Sequence, residues 1–459
     1  MITIHFRRLM TLFVSAFLMT AVFVFGTALP AAAYSCTQNY LGDGSQANPW
    51  QIATSDQLDC FAATYTRVPA GGGDAYFIQT ADVSRNTNIS IYPSSGAPHF
   101  HYNGQGHTIS IENVTNFSGL FVFTDGDDVR NLHISSVNST LATGAGWFAG
   151  QDSDSTFTNV SADGDISSGG GGIVGIGFVT TIDNSYTTGA IGSGGGGLVG
   201  TGDFLIITNS YSTGIVGPSA GGLVGQNSQS GNISRSFSSG LIGADGGGIV
   251  GSDCINMVLT NVYSTGAISS YAGGIIGAYT VNATITNAYS LGNISAHGGG
   301  ILGADSDSST VSNAYAAGLI DPQAGGIVGA NAGNTILSHG YSAQGALLAP
   351  GATNSTVTNS TAGSGPFSAT TANTVLSPLS AWADCSSVQT GSFYLTAITP
   401  VNPCVTPSPT PAPTVSPAAL AITAARVDHQ GLVGYSLLAL CAFVGGVTLI
   451  LAARKNSSR

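Results

Sequence analysis

One phrase recurs through the middle of the chain, and its spacing restricts the possible folds more than any other feature. The copy at residues 272–294 joins Ala-Gly-Gly-Ile-Ile-Gly through a polar turn to Thr-Ile-Thr-Asn-Ala-Tyr-Ser and Gly-Asn-Ile. The glycine step recurs at nearly equal intervals, at Gly146, Gly172, Gly197, Gly222, Gly248, Gly274, Gly300 and Gly326. An aromatic residue keeps the same period, at Tyr186, Tyr211, Phe237, Tyr263, Tyr289, Tyr315 and Tyr341. Two markers with one period predict a repeat architecture.

The composition of each copy decides what one repeat can form. Glycine, asparagine, serine, threonine and β-branched residues are poor helix formers, which excludes a helical repeat. A leucine-rich repeat is excluded because the aliphatic positions are Ile or Val set between glycines. Two or three short strands remain, and such a unit can bury its apolar face only against a neighbouring copy. The sequence therefore predicts an all-β fold, a parallel β-solenoid (β-helix) of 25–26-residue repeats.

Stacked coils should place equivalent residues in ladders. Coils lie about 4.8 Å apart, so roughly ten of them would extend over about 50 Å. The aromatic markers would then stack. A second ladder would join amide side chains by hydrogen bonds, at Asn184, Asn209, Asn261, Asn287 and Asn313.

The repeat resembles the GLUG-motif family, named for its Gly-Leu-any-Gly core, which is present here as Gly197-Leu198-Val199-Gly200 and Gly222-Leu223-Val224-Gly225. The lead-in common to such proteins resembles residues 42–54 and 103–109 of this chain. Similar repeats occur in large bacterial surface proteins, including adhesins and some immunoglobulin-cleaving proteases, where they lie outside the catalytic domain. The resemblance implies a surface location and an interaction role, and it names no ligand.

Charge narrows the choice of partner. Charged residues make up 7% of the chain, against roughly 25% in an ordinary globular protein. The segment from Tyr34 to Gln430 contains five arginines and all 22 acidic residues, which gives a net charge of 5 − 22 = −17. So acidic a surface argues against nucleic acid and anionic lipid as partners.

The N-terminal third is predicted to contain a signal and a cap. Residues 1–33 are typical of a secretory signal peptide, with an apolar run at Leu9–Leu29 before Ala31-Ala32-Ala33, although this run could also remain as an uncleaved anchor. Residues 34–118 would form an N-terminal cap and irregular early coils. A short capping helix is expected between Thr54 and Tyr65, where Thr54 and Gln57 form a capping box. The repeats proper would occupy residues 119–365.

The C-terminal part is typical of a membrane-anchored surface protein. We expect a C-terminal cap at 366–404, a Pro/Thr/Ala-rich stalk at 405–431 and a transmembrane helix at Leu432–Ala453. The basic tail, 454–459, would fix that end in the cytoplasm and place the solenoid outside the cell. The Leu-Pro-x-Thr-Gly signal of wall-anchored proteins does not precede the span, so we expect retention in the lipid bilayer.

Cysteine usage fits an oxidising compartment. Cys36 and Cys60 flank the first structured segment, and Cys385 and Cys404 flank the last. If each pair closes, each disulfide would stabilise one end of the solenoid by up to about 3 kcal/mol. Cys254 is expected to be a buried small hydrophobic residue rather than a reactive thiol.

Candidate catalytic residues are sparse. Gly217-Pro218-Ser219-Ala220-Gly221 matches the Gly-x-Ser-x-Gly nucleophile pattern, but the equivalent turn at 321–325 has no serine, which favours a repeat turn. Grouped carboxylates could hydrolyse a glycan or hold Ca²⁺, at Asp125/Asp127/Asp128, Asp152/Asp154, Asp163/Asp165 and Asp305/Asp307. Their sequences are also ordinary turns. Histidines cluster in the early coils without a zinc spacing, at His99, His101, His107 and His133.

These patterns favour a non-enzymatic, membrane-anchored adhesin that binds an extracellular glycan or protein through many weak contacts. We assign no catalytic residue and no cofactor, and keep Ca²⁺ as a possibility at the aspartate groups. Two alternatives stay open, a carbohydrate-active solenoid that uses one aspartate group and a purely structural surface spacer.

Overall fold

The computed structural model describes residues 40–61, 73–87, 99–363, 382–384 and 393–395. Apart from 382–384 and 393–395, these residues form the predicted parallel β-solenoid, with one short helix, α1, at Ser55–Asp59. The strands are β1 (Trp50–Ile52), β2 (Ala75–Gln79), β3 (Val83–Arg85), β4 (Phe100–Asn103), β5 (Thr108–Glu112), β6 (Phe121–Asp125), β7 (Asp128–Val137), β8 (Ala149–Ser153), β9 (Thr156–Ala162), β10 (Val174–Phe178), β11 (Thr181–Asp183), β12 (Tyr186–Thr187), β13 (Val199–Asp203), β14 (Ile206–Thr208), β15 (Tyr211–Ser212), β16 (Asn232–Ser238), β17 (Val258–Ser264), β18 (Thr284–Ser290), β19 (Thr310–Ala316), β20 (Ile336–Ser342), β21 (Thr356–Thr358), β22 (Thr361–Ala362), β23 (Trp382–Asp384) and β24 (Phe393–Leu395).

Two parallel sheets form the walls of the solenoid. The long sheet contains 18 strands from β1 to β22, and the short sheet contains β6, β8, β10 and β13. The long sheet runs without interruption through residue 118, so the early coils and the regular repeats belong to one fold. Near the C-terminus, β23 pairs with β24 in antiparallel orientation, a separate two-stranded sheet.

The pairing register measures the length of each coil. In the early coils Trp50 pairs with Phe77, a longer step than the predicted repeat, and the steps from β4 to β7 and from β7 to β9 are longer too. The regular coils keep the predicted repeat length. In the last coil Ile336 pairs with Thr356, which is a much shorter step. The step length therefore varies among the coils that precede β9, and the repeat shortens after Tyr341.

Each regular coil crosses the long sheet as two short strand segments joined by a bend. In β18 the bend is at Asn287, whose φ is 54°, a left-handed conformation that asparagine tolerates better than most residues. The bend shifts the usual alternation, so that Ile285 and Ala288 both point inward and are fully buried. Burying an isoleucine side chain contributes about 1.5–3 kcal/mol, which explains the aliphatic ladder at this position.

One inserted residue ends the short sheet. Val199 pairs with Val224 and Asp203 pairs with Gln229, so the later coil has one residue more than the earlier coil between these two pairs. Between Val224 and Gln229 a turn replaces the strand, with Asn227 at a φ of 60°. The later coils repeat this turn, which we call the inserted turn, with left-handed residues at Asp253, Tyr279, Asp305 and Asn331. The coils with the longer of the two regular repeat lengths thus have an additional surface turn.

The Gly-Gly step lies where opposite walls of the coil nearly touch. A Cβ added at Gly274 would lie 2.0 Å from the carbonyl oxygen of Gly300 and 2.7 Å from the Cβ of Ser290. Real Cβ atoms do not approach other atoms so closely, so only glycine fits. The facing serine ladder is fully buried, and its hydroxyls have no hydrogen-bond partner at Ser212, Ser238, Ser264 and Ser290.

Helix α1 begins where the sequence predicts. The Thr54 hydroxyl accepts a hydrogen bond from the Gln57 N–H at 3.2 Å, and the Gln57 side chain accepts one from the Ala53 N–H at 2.8 Å. Phe61, just after the helix, is fully buried and packs on Phe77 with ring centroids 4.2 Å apart. The rest of the predicted helical stretch, 62–65, lies outside the described residues, and capping of the solenoid by this segment stays a prediction.

Several predictions fall outside the described residues. They concern the signal peptide at 1–33, the stalk at 405–431, the span Leu432–Ala453, the tail at 454–459 and the cysteines Cys36, Cys385 and Cys404. In the part of the chain that the structure describes, no helix has the length and apolar character to cross a membrane. Cys60 is disulfide-bonded, and its predicted pairing with Cys36 stays a prediction. Cys254 is a free, buried cysteine, and burial raises the pKa of its thiol to about 12.

Candidate functional site

The asparagine ladder joins neighbouring coils through side chains. Asn287 donates a hydrogen bond to Asn261 at 2.9 Å, and Asn313 donates one to Asn287. Asn184 donates a hydrogen bond to Asn159 at 3.4 Å, whereas Asn209 donates one to the Asp183 carboxylate at 2.7 Å. The ladder also extends into the early coils, where Asn159 bonds to Asn131 and Asn131 to Asn103.

The aromatic markers stack beside this ladder with nearly parallel rings. Neighbouring centroids lie 4.7–5.2 Å apart from Tyr186 to Tyr315, which matches the spacing of the coils. Tyr341 continues the register beyond Tyr315. Tyr289 and Tyr315 are buried, with 2% and 0% of their surfaces exposed. These two ladders serve the packing of the coils.

Two of the predicted aspartate groups each contain one buried carboxylate. Asp127 is buried and accepts backbone hydrogen bonds from Phe100 and Asp125, each at 2.9 Å. Its neighbour Asp128 contacts Arg130 and His101 on the outer surface. Asp152 is buried and accepts a hydrogen bond from the Thr124 hydroxyl at 2.6 Å and one from the Thr180 hydroxyl at 2.5 Å.

The other two aspartate pairs also separate. Asp163 bonds to Ser135 and Ser136, whereas the Asp165 carboxylate accepts from the Ala190 N–H. Asp307 accepts from Asn334, whereas Asp305 lies in an inserted turn. Over the described ranges, no three His, Cys, Asp or Glu side chains are placed to hold one metal ion.

Burial shifts the pKa values of two of these carboxyl groups. Desolvation raises the pKa of Asp127 to about 7 and that of Asp152 to about 6, against an ordinary value of 3.8. Hydrogen bonds from backbone N–H and hydroxyl groups oppose the rise. With 3% of each residue exposed, neither carboxyl can reach a polysaccharide.

The early-coil histidines lie on the outer surface beside acidic or hydroxyl groups. His101 lies 3.4 Å from both Asp74 and Asp128, and these neighbours raise its pKa against the opposing effect of burial. His133 contacts the Ser161 hydroxyl at 2.8 Å and lies 3.6 Å from Asp163. Serine, histidine and aspartate, here Ser161, His133 and Asp163, are the residue types of a hydrolytic triad. Ser161 is 8% exposed, however, and lies in β9, which hydrogen-bonds to strands on both sides, so its surroundings resemble a sheet interior more than a substrate cleft.

A different site emerges where two series of turns run side by side. One series consists of the inserted turns. The other, which we call the corner turns, precedes each Gly-Gly step and also has a left-handed residue, at Ser219, Asp245, Tyr271 and His297. Backbone hydrogen bonds join the two series between coils, from Ala278 to Asp245 at 2.9 Å and from Ala304 to Tyr271 at 3.0 Å. Side chains from both series therefore share one surface.

The centre of this surface combines aromatic rings with carboxylates. We call it the turn patch, and it consists of Asp245, Asp253, Tyr271, Tyr279, His297 and Asp305. Tyr279 is 44% exposed and Tyr271 is 38% exposed. The ring of Tyr271 stacks on that of His297 at 4.7 Å. Exposed rings beside hydrogen-bonding groups are the usual chemistry of a ligand-binding surface.

The carboxylates of the turn patch raise the pKa values of two of its groups, Asp245 and Tyr279. Burial and the nearby charges of Asp253 and Asp305 raise the pKa of Asp245. Burial and the same three carboxylates raise the pKa of the Tyr279 hydroxyl. The three arginines in the described residues bond elsewhere, Arg85 to Asp59, Arg130 to Asp128 and Arg235 to Asn209. The turn patch therefore brings three carboxylates and two exposed tyrosine rings onto one surface.

Backbone conformation adds a second reason to single out the two tyrosines. Tyr271 has a φ of 63° and Tyr279 a φ of 59°, a region that favours Gly, Asn and Asp and is uncommon for bulky residues. Such strain costs on the order of 1–3 kcal/mol and is often found at functional sites. Val179 and Phe204 share this conformation at another corner, so strain alone does not mark the site. At the turn patch it coincides with exposure and negative charge.

Sequence reasoning missed the turn patch. It singled out Asp305 only as a neighbour of Asp307, and gave no role to Tyr271, Tyr279, Asp245 or Asp253. Two features of the sequence could have indicated it. The longer repeats contain one extra residue, and aromatic residues occupy turn positions where neighbouring copies have Asn, Asp or Ser. The contact between the two series of turns depends on the coil's cross-section.

No protein-family model matches this chain, and a comparison with curated proteins finds no match either. Among solved structures, the chain is similar to a crystal structure from Bacteroides ovatus, that of a candidate immunoglobulin A1 protease. The two are 19% identical, with a TM-score of 0.37 over 55% of this chain and 77% of that chain. A similarity at this level does not bear on the function of this chain, and the resemblance to GLUG-motif proteins rests on the sequence alone.

Proposed function

We propose that the protein is a membrane-anchored surface protein, an adhesin, whose extracellular solenoid holds a glycan or protein ligand without catalysis. The turn patch carries this proposal, because it exposes two strained tyrosines and three interacting carboxylates on one surface. The segments predicted at 1–33, 405–431 and Leu432–Ala453 would export, extend and anchor the solenoid.

The solenoid suits such a role because it is a stiff support. Its coils are joined by parallel strand pairing, by the asparagine ladder and by the aromatic stack. Side chains fixed on a rigid scaffold lose little conformational entropy when a ligand binds. Weak contacts at the spacing of the coils can also add up through avidity when the ligand is itself repetitive.

A second candidate function is hydrolysis, and the observation that favours it is the contact of His133 with Ser161 near Asp163. The same contacts fit a surface network equally well, since Asp163 is also bonded by Ser135 and Ser136. The third possibility, a structural spacer, would leave the turn patch without a ligand.

The decisive experiment measures retention and product mass together. The full chain, solubilised in a mild detergent, is incubated with polysaccharides, mucins and matrix proteins. Retention of a ligand whose mass stays unchanged supports the adhesin. New low-mass products that disappear in Ser161→Ala would establish the hydrolase, and ordered assembly without any retention would establish the spacer.

A further inference from the structure

The interior of the early coils holds two carboxyl groups at positions where the following coils are neutral. Asp152 pairs in register with Gly177, and the position of Asp127 is taken by Ser155 in the next coil and by Thr180 in the one after it. Both aspartates are buried, with 3% of each residue exposed. Because parallel stacking aligns equivalent positions, this difference in charge distinguishes the early coils from the regular repeats.

One serine joins the two carboxyl groups. The Ser155 hydroxyl accepts a hydrogen bond from the Asp127 N–H at 3.0 Å and is hydrogen-bonded to the Asp152 carboxyl group. Asp152 also accepts from the hydroxyls of Thr124, one coil before it, and Thr180, one coil after it. The cluster therefore links three successive coils. We call residues 99–162, which contain both carboxyl groups and the strands around them, the acid coils.

The groups that face this cluster do not offset its burial. Burial is the largest effect, and it raises the pKa of Asp127 to about 7 and that of Asp152 to about 6. Asp127 also faces Asp152, whose charge disfavours its ionisation, and His99, whose charge favours it. The His99 ring is on the surface, with Nδ1 2.7 Å from the Asp125 carbonyl oxygen. Above the raised pKa values, the closed interior has to hold two ionised carboxylates away from water, which is costly.

A histidine on the outer face of the same wall titrates in the same sense. The ring of His101 stacks on that of Tyr76 with centroids 4.4 Å apart. Its Nε2 lies 3.4 Å from Asp74 in the coil before, and its Nδ1 lies 3.4 Å from Asp128 in the coil after. Burial lowers its pKa, but the hydrogen bonds with Asp128 and Asp74 prevail and raise it. Arg130 also faces this site, 3.4 Å from Asp128. Protonated His101 therefore joins three coils.

Opening of the acid coils returns each group to its ordinary pKa, which fixes the direction of the effect. Between pH 3.8 and the raised values, the closed coils bind more protons than the opened coils, so a rise in pH favours opening. The stabilisation is complete below pH 3.8 and is lost by about pH 7 for Asp127 and by about pH 6 for Asp152. His101 adds to the loss above pH 6.5.

We propose that the acid coils form a pH-sensitive segment, which opens locally as the pH rises from about 5 to about 8 while the regular coils stay closed. The regular coils around Asn287 and Tyr289 are joined by amide and aromatic ladders, which need no change of charge in this range to stay paired. The inference goes beyond the adhesive function and does not depend on it, because it concerns the stability of the fold alone.

The test is hydrogen–deuterium exchange of the full chain, solubilised in a mild detergent, at about pH 5 and about pH 8. Exchange is expressed relative to the unfolded chain at the same pH, which removes the intrinsic pH dependence of the chemistry. We expect the protection of β7 to fall at least about tenfold between the two pH values, because each buried carboxyl group loses up to about tenfold per pH unit below its raised pKa. Protection of β18 should change less than about threefold.

Variants assign the effect to the buried groups. Asp127→Asn and Asp152→Asn remove the titrating groups and keep the shape of the side chain, so each should flatten the pH dependence of β7. Asp154→Asn is the matched control, because it removes a charge from the same coil at a turn with a φ of 59°, where asparagine is tolerated. It should keep the full dependence. If a buried variant does not fold, the comparison of β7 with β18 in the wild type still decides.

Four results would overturn the inference. Equal changes in β7 and β18 would mean that the whole solenoid responds to pH as one unit. Unchanged protection of β7 would mean that closed and open coils bind the same number of protons. Stronger protection at the higher pH would mean that hydrogen bonds from Thr124, Ser155 and Thr180 stabilise the ionised carboxylates. An undiminished dependence in both Asp127→Asn and Asp152→Asn would assign it to other groups.

Discussion

The ring of Tyr271 stacks on the ring of His297 with their planes 6° apart, although both residues have a positive φ. In neighbouring coils the same turn position carries Ser219 and Asp245, and aspartate adopts this conformation at lower cost than tyrosine does. The stack lies on the surface, outside the aliphatic core. Packing of the core therefore does not explain why aromatic rings occupy these turns.

Tyr279→Asn should stabilise the fold while it weakens ligand binding. Asparagine occupies the equivalent positions Asn227 and Asn331 at similar φ values, so the substitution should relieve on the order of 1 kcal/mol of backbone strain. Thermal unfolding of variant and wild type measures the change. Tyr289→Asn, which alters a buried member of the aromatic stack, should instead lower the melting temperature. A clear loss of stability in Tyr279→Asn would show that this tyrosine supports the fold.

Ser290→Ala should also stabilise the solenoid. The Ser290 hydroxyl is buried without a hydrogen-bond partner, and the next coil has Ala316 in the same register. Removing a buried, unpaired hydroxyl should gain about 1 kcal/mol, measured by urea unfolding. Ser210→Ala provides the contrast, because its hydroxyl donates to the Thr208 carbonyl at 2.7 Å and accepts from the Ser185 N–H. The prediction fails if both variants are destabilised alike.

Gly274→Ala should disrupt the coil far more than Gly144→Ala. The new methyl group at Gly274 would lie 2.0 Å from a backbone oxygen, whereas the same group at Gly144 meets nothing within 4 Å. Gly144 has a φ of 72°, so alanine there costs only the conformational penalty of about 1–2 kcal/mol. The yield of folded protein and the melting temperature would separate the two. Comparable, small effects would contradict the close approach.

Stability should fall as the pH rises from about 4 to about 7. The pKa of Asp127 is raised to about 7 and that of Asp152 to about 6, so over this range the folded chain binds more protons than the unfolded chain. The raised pKa of His101 acts in the same direction, at pH values above its ordinary pKa of 6.5. Denaturation at several pH values measures the slope, and Asp127→Asn should flatten it. A slope of the opposite sign would show that hydrogen bonds keep both carboxylates ionised in the folded state.

Removal of residues 432–459 should release the protein from the membrane, because Leu432–Ala453 is the segment predicted to span it. Fractionation of cells into membrane, soluble and secreted material measures the release. Removal of residues 454–459 alone is the matched control, since it leaves the predicted span in place. If the chain without residues 432–459 stays in the membrane fraction, the prediction is wrong and another segment, such as an uncleaved signal, anchors the protein.

Local sequence determined the repeat, the strand segments and the ladders, because these depend on residues whose spacing equals one coil. The regular period aligns Asn261, Asn287 and Asn313, and stacking then follows from the pairing of parallel strands. The capping box at Thr54 was predictable for a related reason, since its partners lie close by in the sequence. The acidic character of the surface was likewise predictable, because it follows from the amino-acid composition.

Only the tertiary structure decided which turns meet. Tyr271 and Asp305 are more than one repeat apart in the sequence, and they become neighbours because the inserted turn of one coil bonds to the corner turn of the coil before it. That contact depends on how the backbone closes each coil, on the Gly-Gly step facing Ser290 and on one inserted residue after Val224. The same closure buried Asp127 and Asp152, which the sequence could not distinguish from exposed turn aspartates. Periodicity specifies which residues stack, but the cross-section of the coil sets which side chains share a surface.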